Sequence, residues 1–210
     1  DHRYIHYPLR RQRQMCRRER HNLDNNTEAM LHEKEPSVEP EARSITILYG
    51  SESGNAQGLA EIFEQRLSDI GNDVTLKSMD DFKPKNLKKV EDLFIITSTH
   101  GEGDPPDNAV ELHEYIHGRK APKLDGVRFS VLALGDQTYE FFCQTGKDFD
   151  NRLAELGAET LYHRTDCDVD YEEDAEKWMA NVINTIDSTP AGTESEQVVS
   201  ESIKSAKEKK

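Results

Sequence analysis

The fold is decided by one short stretch of the sequence, Ser44-Ile45-Thr46-Ile47-Leu48-Tyr49-Gly50-Ser51-Glu52-Ser53-Gly54-Asn55. Its first half is apolar and rich in β-branched residues, which is typical of a strand in the interior of a sheet. Its second half is a loop of glycine and hydroxyl residues, and apolar residues at helical spacing follow from Asn55 onward. A strand that passes through such a loop into a helix is the building unit of an α/β domain.

The same order of strand and loop occurs twice more along the chain. An apolar run over residues 93–97 leads into Ser98-Thr99-His100-Gly101-Glu102-Gly103-Asp104, and a run over residues 129–134 leads into Gly135-Asp136-Gln137-Thr138-Tyr139-Glu140-Phe141-Phe142. In a parallel sheet the carboxyl ends of the strands lie at one edge, where ligands of α/β proteins bind. The sequence therefore predicts that the three loops border one pocket.

Hydrophobic periodicity predicts further elements around these loops. Helices are predicted over residues 55–70, 108–117, 146–156 and 174–186, and strands over residues 74–76, 127–134 and 160–162. We expect the buried side of the first helix to contain Leu59, Ile62, Phe63 and Leu67, and Gly157 to end the third helix. The resulting βαβαβαβαβα order is typical of a parallel sheet with helices on both faces.

Composition divides the chain into three parts. Residues 1–43 are predicted to be a tail, residues 44–187 the folded domain, and residues 188–210 a second linker. The basic block over residues 10–18 is compatible with RNA binding or targeting, although it lacks interleaved aromatic residues. No apolar run approaches the roughly 20 residues of a membrane span, and no apolar stretch follows the basic start as in a signal peptide.

Cysteine content and charge narrow the classes of function. The three cysteines, Cys16, Cys143 and Cys167, form no CxxC pair, which favours a reducing cytoplasm over a disulfide framework or a zinc site. The net charge is −14 although residues 1–22 are basic, so the remainder is strongly acidic. Such a body repels nucleic acid and anionic membranes and attracts a basic protein face, unless the charge serves solubility alone.

The first loop has the composition of a phosphate site. Backbone N–H groups at the start of a helix favour an anion, and Ser51, Ser53 and Asn55 add side-chain donors, while Gly50 and Gly54 permit a tight turn. The lysine of a P-loop and the GxGxxG pattern of a dinucleotide site are both missing, which favours a monophosphate ester. The alternative is an ordinary Ser/Gly turn that caps a helix.

The second loop is suited to a flat ligand. Glycines on both sides of Glu102 let the backbone approach a ring closely. We interpret His100 as a packing or hydrogen-bonding group over that ring, because no nucleophile with a plausible third partner accompanies it as a catalytic base.

The third loop supplies aromatic residues. Tyr139 is predicted to stack on an aromatic ligand, whereas Phe141 and Phe142 are predicted to be core and Cys143 a buried small hydrophobe. A phosphate at the first loop and a ring between the other two loops together predict bound flavin mononucleotide (FMN) and electron transfer.

An acidic segment, Asp166-Cys167-Asp168-Val169-Asp170-Tyr171-Glu172-Glu173-Asp174, lies near the end of the predicted domain. It lacks the central glycine and the final glutamate of a calcium loop, and no metal ligand is predicted. We interpret it as a source of carboxylates near the flavin edge and of a negative rim for docking.

These loops carry a resemblance to a known family. Residues 49–56, 98–106 and 134–142 resemble three signatures of the flavodoxin-like FMN domain of the diflavin reductases, and residues 119–124 and 141–150 favour the sulfite-reducing branch. The resemblance implies a three-layer flavodoxin-like fold, with a five-stranded parallel sheet of order 2-1-3-4-5. It also implies that electrons pass from NADPH through FAD to FMN, and then to a siroheme and iron–sulfur subunit.

The resemblance further implies a set of FMN-binding positions and no catalytic residue. The implied positions are Ser51, Glu52, Ser53, Gly54, Asn55, Ala56, Ser98, Thr99, His100, Gly101, Glu102, Gly103, Leu134, Gly135, Asp136, Tyr139, Phe142, Cys143 and Asp168. Many relatives have an aromatic residue where this chain has His100.

The parent enzyme implied by the resemblance is longer than this chain. Relatives continue into FAD- and NADP-binding domains, so we expect an excised piece that carries electrons but does not itself oxidise NADPH. Two alternatives stay open: a stand-alone flavodoxin-like carrier, and an interaction module that has lost its flavin.

Overall fold

The computed structural model of the protein describes residues 44–188. Its strands are β1 Ser44–Gly50, β2 Asp73–Ser78, β3 Asp92–Ser98, β4 Arg128–Leu134, β5 Glu159–Thr160 and β6 Thr165–Cys167. Its α-helices are α1 Asn55–Asp69, α2 Val110–His117, α3 Gln144–Glu155 and α4 Glu172–Ser188, and short 3-10 helices cover Pro84–Lys89 and Asp107–Ala109. The predicted tail over residues 1–43 and the predicted linker beyond Ser188 lie outside the described residues.

The strands form one parallel sheet of order β2-β1-β3-β4-β5, which confirms the predicted order. The fifth position is divided: β5 pairs with the start of β4, and β6 pairs with its end. The predicted strand over residues 160–162 is thus shorter than expected, and β6 was missed. Because Thr165-Asp166-Cys167 contains little apolar surface, its strand character depends on pairing with β4.

Helices cover both faces of the sheet, as predicted. On one face, α1 and α4 pack around an aromatic group in which Phe63 lies 5.2 Å from Phe94 and 5.1 Å from Trp178, measured between ring centroids. The indole N–H of Trp178 donates to Ser130 Oγ over 2.9 Å, so its burial leaves no polar atom unpaired. On the other face, α2 and α3 contribute apolar residues such as Leu112 and Phe149.

Three local predictions need correction. The connection between β2 and β3 contains a 3-10 helix that begins at Pro84, and no α-helix, so the predicted alternation is wrong there. Ile62 is 48% exposed, because the buried side of α1 consists of Ala56, Leu59, Ala60, Phe63 and Leu67 instead. The helix predicted from residue 108 is divided into a 3-10 turn and α2, which follows the rigid pair Pro105-Pro106.

The topology brings the three loops together. They follow β1, β3 and β4, which are neighbours in the sheet and all end at the same edge. Within residues 44–188, no helix is both long and apolar enough to cross a membrane.

Candidate functional site

A cavity of about 660 Å³ lies at the carboxyl edge of the sheet, within the range of about 300–1,000 Å³ that is typical of small-molecule sites. It is lined by Ser53, Asn55, Ser98, Thr99, His100, Gly101, Leu134, Gly135, Asp136, Tyr139, Phe141, Phe142, Cys143, Asp168, Val169 and Tyr171. Three of these residues were not among the predicted positions: Phe141, Val169 and Tyr171. The other lining residues all belong to the predicted set.

Six predicted positions are not among the residues that line the cavity. Ser51, Glu52 and Gly54 lie in the first loop, and Ala56 is on the buried side of α1. Glu102 is exposed, and Gly103 packs against Phe141.

The first loop presents unengaged backbone donors at the start of α1. Gly54, with φ of 87°, is the N-cap of this helix, and its N–H donates to Ser51 Oγ over 3.0 Å. Among residues 44–188, no hydrogen-bond partner is found for the N–H groups of Glu52 and Ser53. The first turn of α1 contains no acidic residue. Such a helix start binds an anion through its N–H groups and its dipole.

Gly50 serves a different purpose from the one predicted. Its φ is not positive, so it does not supply a left-handed turn. A Cβ atom at this position would lie 2.9 Å from Ala109 Cβ and 2.9 Å from Thr97 Oγ1. Gly50 is therefore required for close packing of the 3-10 helix Asp107–Ala109 against the end of β1.

The second loop is closed by its own backbone. The N–H of His100 donates to Asp104 O over 2.8 Å, and the N–H of Asp104 donates back over 2.9 Å. Gly101 and Gly103 have φ of 50° and 107°, a backbone conformation that favours glycine, while their predicted close approach to a ring stays a prediction. Buried Thr145 of α3 donates through Oγ1 to Asp104 O over 3.0 Å, which fixes this loop to the helix that follows the third loop.

The third loop is held by two carboxylates. Asp136 Oδ1 accepts from the N–H and the hydroxyl of Thr138 over 2.8 and 2.6 Å, and these hydrogen bonds lower the pKa of Asp136. Asp168 Oδ1 accepts the N–H of Gln137 over 2.9 Å. Asp168, predicted as a pocket residue, thus also connects the loop after β6 to the loop after β4.

The aromatic residues of the third loop lie at the mouth of the cavity. Tyr139 is 62% exposed and Phe141 is 40% exposed. The prediction that Phe141 is core is wrong, since this residue is exposed and lines the cavity. Phe142 was predicted as core from its residue type but as an FMN-binding position from the resemblance, and it lines the cavity. Phe141 packs against the second loop. A Cβ atom added to Gly103 would lie only 2.9 Å from Phe141 Cβ. Exposed rings at a concave surface are suited to stacking on a flat aromatic ligand.

Cys143 is fully buried, as predicted, and its Sγ lies 3.5 Å from Ala133 O and 3.6 Å from Cys167 O. Burial raises the pKa of this thiol to about 12. Since the thiolate is the reactive form, Cys143 is not a nucleophile at neutral pH. A Cβ on Gly135 would lie 2.9 Å from this sulfur, so the glycine accommodates the thiol.

Sequence reasoning missed two residues that shape the site. Asn108 accepts the N–H of Ser51 through Oδ1, and Arg164 joins Asp150 of α3 to Asp166 of β6 over 2.6 and 2.7 Å. Burial raises the pKa of Asp150 even though the guanidinium opposes this shift. The position of Asn108 directly after a Pro-Pro-Asp turn is the only signal in the sequence, and it does not reveal a partner far away in the chain.

Residues 44–188 contain no group of His, Cys, Asp and Glu suited to hold a metal ion.

Comparison with known proteins defines the class of this fold and site. A sequence profile of the flavodoxin family matches residues 47–178, so the chain belongs to that family. The predicted fold, the resemblance and FMN as the cofactor are thereby confirmed. Among solved structures, a flavodoxin of Streptococcus pneumoniae TIGR4 superposes with a TM-score of 0.62 at 25% identity, over 70% of this chain and 99% of that protein. Flavodoxin 1 of Bacillus cereus gives a TM-score of 0.60 at 18% identity, over 70% and 99%.

Curated relatives indicate a particular branch. The chain is 56% identical over 152 residues to the sulfite reductase [NADPH] flavoprotein alpha-component of Bacillus subtilis, which covers 72% of this chain and 25% of the relative. It is 50% identical over 158 residues to the protein of the same name in Vibrio parahaemolyticus, with 75% and 25% covered. The chain therefore spans about a quarter of the length of these relatives.

Proposed function

We propose that residues 44–187 form an FMN-binding domain that carries single electrons as part of a sulfite reductase flavoprotein. In this role the domain accepts electrons from an FAD- and NADP-binding reductase domain and passes them to the basic face of a siroheme and iron–sulfur subunit. The observation that carries the proposal is the juxtaposition, at one cavity, of unengaged N–H groups at the start of α1 and of the exposed Tyr139 ring. The identity to two sulfite reductase flavoproteins supports the choice of branch.

The proposed roles of the residues follow from their chemistry. The N–H groups at the start of α1, with the hydroxyls of Ser51 and Ser53, bind the phosphate. Thr99, His100 and Gly101 contact one side of the ring, and Tyr139 stacks on the other. Bound FMN supplies the one-electron chemistry, which no side chain of this site provides alone.

The protein contributes binding, orientation and electrostatics. The hydrogen bonds of Asp136 to Thr138 and of Asp168 to Gln137 keep the third loop in one conformation, which holds Tyr139 beside the cavity. Because burial raises the pKa of the Cys143 thiol to about 12, no nucleophilic role is proposed for this residue. No residue is proposed to act as a catalytic acid or base.

A titration of the flavin-free chain tests the cofactor site. We expect quenching of flavin fluorescence at low FMN concentrations, and an affinity for FMN at least about tenfold above that for riboflavin, since hydrogen bonds to charged groups contribute about 1.5–3 kcal/mol each. A colourless chain that takes up no FMN would overturn the proposal and leave the interaction module.

One observation favours a second candidate, a stand-alone electron carrier. The flavodoxin of Streptococcus pneumoniae TIGR4 is matched over 99% of its own length, so a whole flavodoxin has the fold that this chain shares. The two candidates differ in their electron acceptor. We expect the reduced, FMN-loaded chain to be reoxidised rapidly by a siroheme and iron–sulfur sulfite reductase subunit. Reoxidation that is no faster with this subunit than without it would favour the stand-alone carrier.

A further inference from the structure

The hydrogen bonds of the first loop divide its N–H groups into two sets. The N–H of Ser51 donates to Asn108 Oδ1 over 3.0 Å, and the N–H of Gly54 donates to Ser51 Oγ over 3.0 Å. The N–H groups of Glu52 and Ser53 have no such partner among residues 44–188. The engaged pair thus determines the course of the backbone, while the remaining donors stay available to a ligand.

Asn108 connects three segments that are distant in sequence. Its Oδ1 accepts from Ser51, at the end of β1, and its Nδ2 donates to Ser78 Oγ, at the end of β2, over 3.0 Å. Because a backbone N–H can only donate, the amide atom that faces Ser51 is the oxygen. Both ends of the amide are therefore engaged, and its orientation is determined.

The residue before Asn108 makes a second connection to the same loop. The N–H of Asp107 donates to Glu52 Oε1 over 2.9 Å, across 55 residues of sequence. This hydrogen bond engages the only carboxylate of the first loop. Two successive residues, Asp107 and Asn108, therefore connect the same 3-10 turn to the first loop.

The close approach that permits both connections depends on Gly50. A Cβ atom there would lie 2.9 Å from Ala109 Cβ, directly after Asn108 in the chain. The first loop is thus shaped by the 3-10 helix Asp107–Ala109, which lies outside the set of predicted phosphate contacts and does not itself line the cavity.

We propose that Asn108 is a positioning residue for the phosphate of the ligand. It acts through the Ser51 N–H: by engaging this group and Ser78 together, it holds the first loop in the conformation that directs the remaining N–H groups at the anion. The proposal rests on the proposed function, because it requires that the cavity binds FMN with its phosphate at the first loop.

The test compares FMN with riboflavin, which lacks the phosphate, in the full chain freed of flavin. For Asn108→Ala we expect the affinity for FMN to fall at least about tenfold, since the Ser51 N–H and the Ser78 hydroxyl lose their partner, while the affinity for riboflavin changes less than about twofold. Asn181→Ala is the matched control, because it removes another asparagine hydrogen bond, to Tyr162, away from the cavity. It should leave both affinities unchanged.

The outcomes separate the two hypotheses. In one outcome, the wild-type chain prefers FMN, and Asn108→Ala either keeps this preference or loses affinity for both flavins equally. This outcome overturns the positioning role alone. A wild-type chain with no preference for FMN overturns the phosphate site of the proposed function as well. If Asn108→Ala does not fold, Ser78→Ala provides the test. We expect this variant to lose less affinity for FMN, with the affinity for riboflavin again nearly unchanged. An unchanged ratio of the two affinities overturns the proposal.

Discussion

At the scale of single residues, the glycines of this domain act for different physical reasons. Gly54, Gly101 and Gly103 adopt a positive φ that other residues adopt rarely. Gly50 instead provides space, because the 3-10 helix Asp107–Ala109 packs directly against it. The two reasons cannot be distinguished in the sequence, where each is simply a glycine in a loop after a strand.

Substitution of Gly50 tests the packing role. We expect Gly50→Ala to lower the free energy of unfolding by about 1–3 kcal/mol, since a Cβ atom would overlap Ala109 and Thr97 in a packed region. Gly58→Ala is the matched control. Gly58 lies inside α1, and no atom of another segment lies within 4 Å of the place that a Cβ atom would take. The free energy of unfolding of this variant should therefore rise by about 0.5–1 kcal/mol. Urea unfolding measures both, and equal effects would contradict the packing argument.

At the scale of elements, the contact between α2 and α3 contains a half-buried histidine. His113 packs edge-on against Phe149 with ring centroids 5.5 Å apart, and its Nε2 lies 3.7 Å from Asp148 Oδ2. Its ring also lies 4.3 Å from that of His117, between centroids. Burial, and then the charge of His117, lower the pKa of His113 from its ordinary value of 6.5, while Asp148 opposes the shift. The folded state therefore favours the neutral imidazole.

This shift predicts a dependence of stability on pH. Below about pH 6.5 the unfolded chain gains a proton on His113 that the folded chain resists, so the free energy of unfolding decreases as the pH falls from about 7 to 5. We expect His113→Gln to reduce this decrease, because the variant lacks the imidazole whose pKa is lowered in the folded state. Urea unfolding at several pH values provides the measurement. An equal decrease in wild type and His113→Gln would refute the assignment.

At the scale of the whole molecule, the loops at the carboxyl edge of the sheet contain several exposed carboxylates. These exposed residues are Glu102, Asp104, Glu140 and Asp170, each in a loop that also contains residues lining the cavity. At the amino end, exposed lysines before β3, namely Lys83, Lys85, Lys88 and Lys89, lie among exposed carboxylates such as Asp73, Glu91 and Asp125. If the proposed acceptor has a basic face, we expect the carboxylates at the carboxyl edge to attract it toward the loops around the cavity.

This distribution predicts how electron transfer to a basic acceptor responds to salt. The measurement is the second-order rate constant at which the reduced, FMN-loaded chain reduces cytochrome c. We expect this rate constant to fall several-fold as ionic strength rises from about 0.01 to 0.5 M, because salt screens exposed charges. The double variant Glu140→Gln/Asp170→Asn should have a lower rate and a weaker salt dependence. The double variant Glu61→Gln/Glu159→Gln loses the same charge away from the cavity and is the control. Identical rates in the two variants would contradict a docking rim.

The sequence by itself determined the strands β1, β3 and β4, the loops that follow them, and the family to which the chain belongs. Local apolar runs and loop composition suffice for these features, because they depend on residues adjacent in the chain. Only the tertiary structure decided that Asn108 engages Ser51 across 57 residues, that Asp168 engages Gln137 across 31 residues, and that the ring of Phe141 lies at the cavity mouth. These contacts depend on which strands are neighbours and on how closely Gly50 lets a helix approach, and neither property leaves a periodic pattern in the sequence.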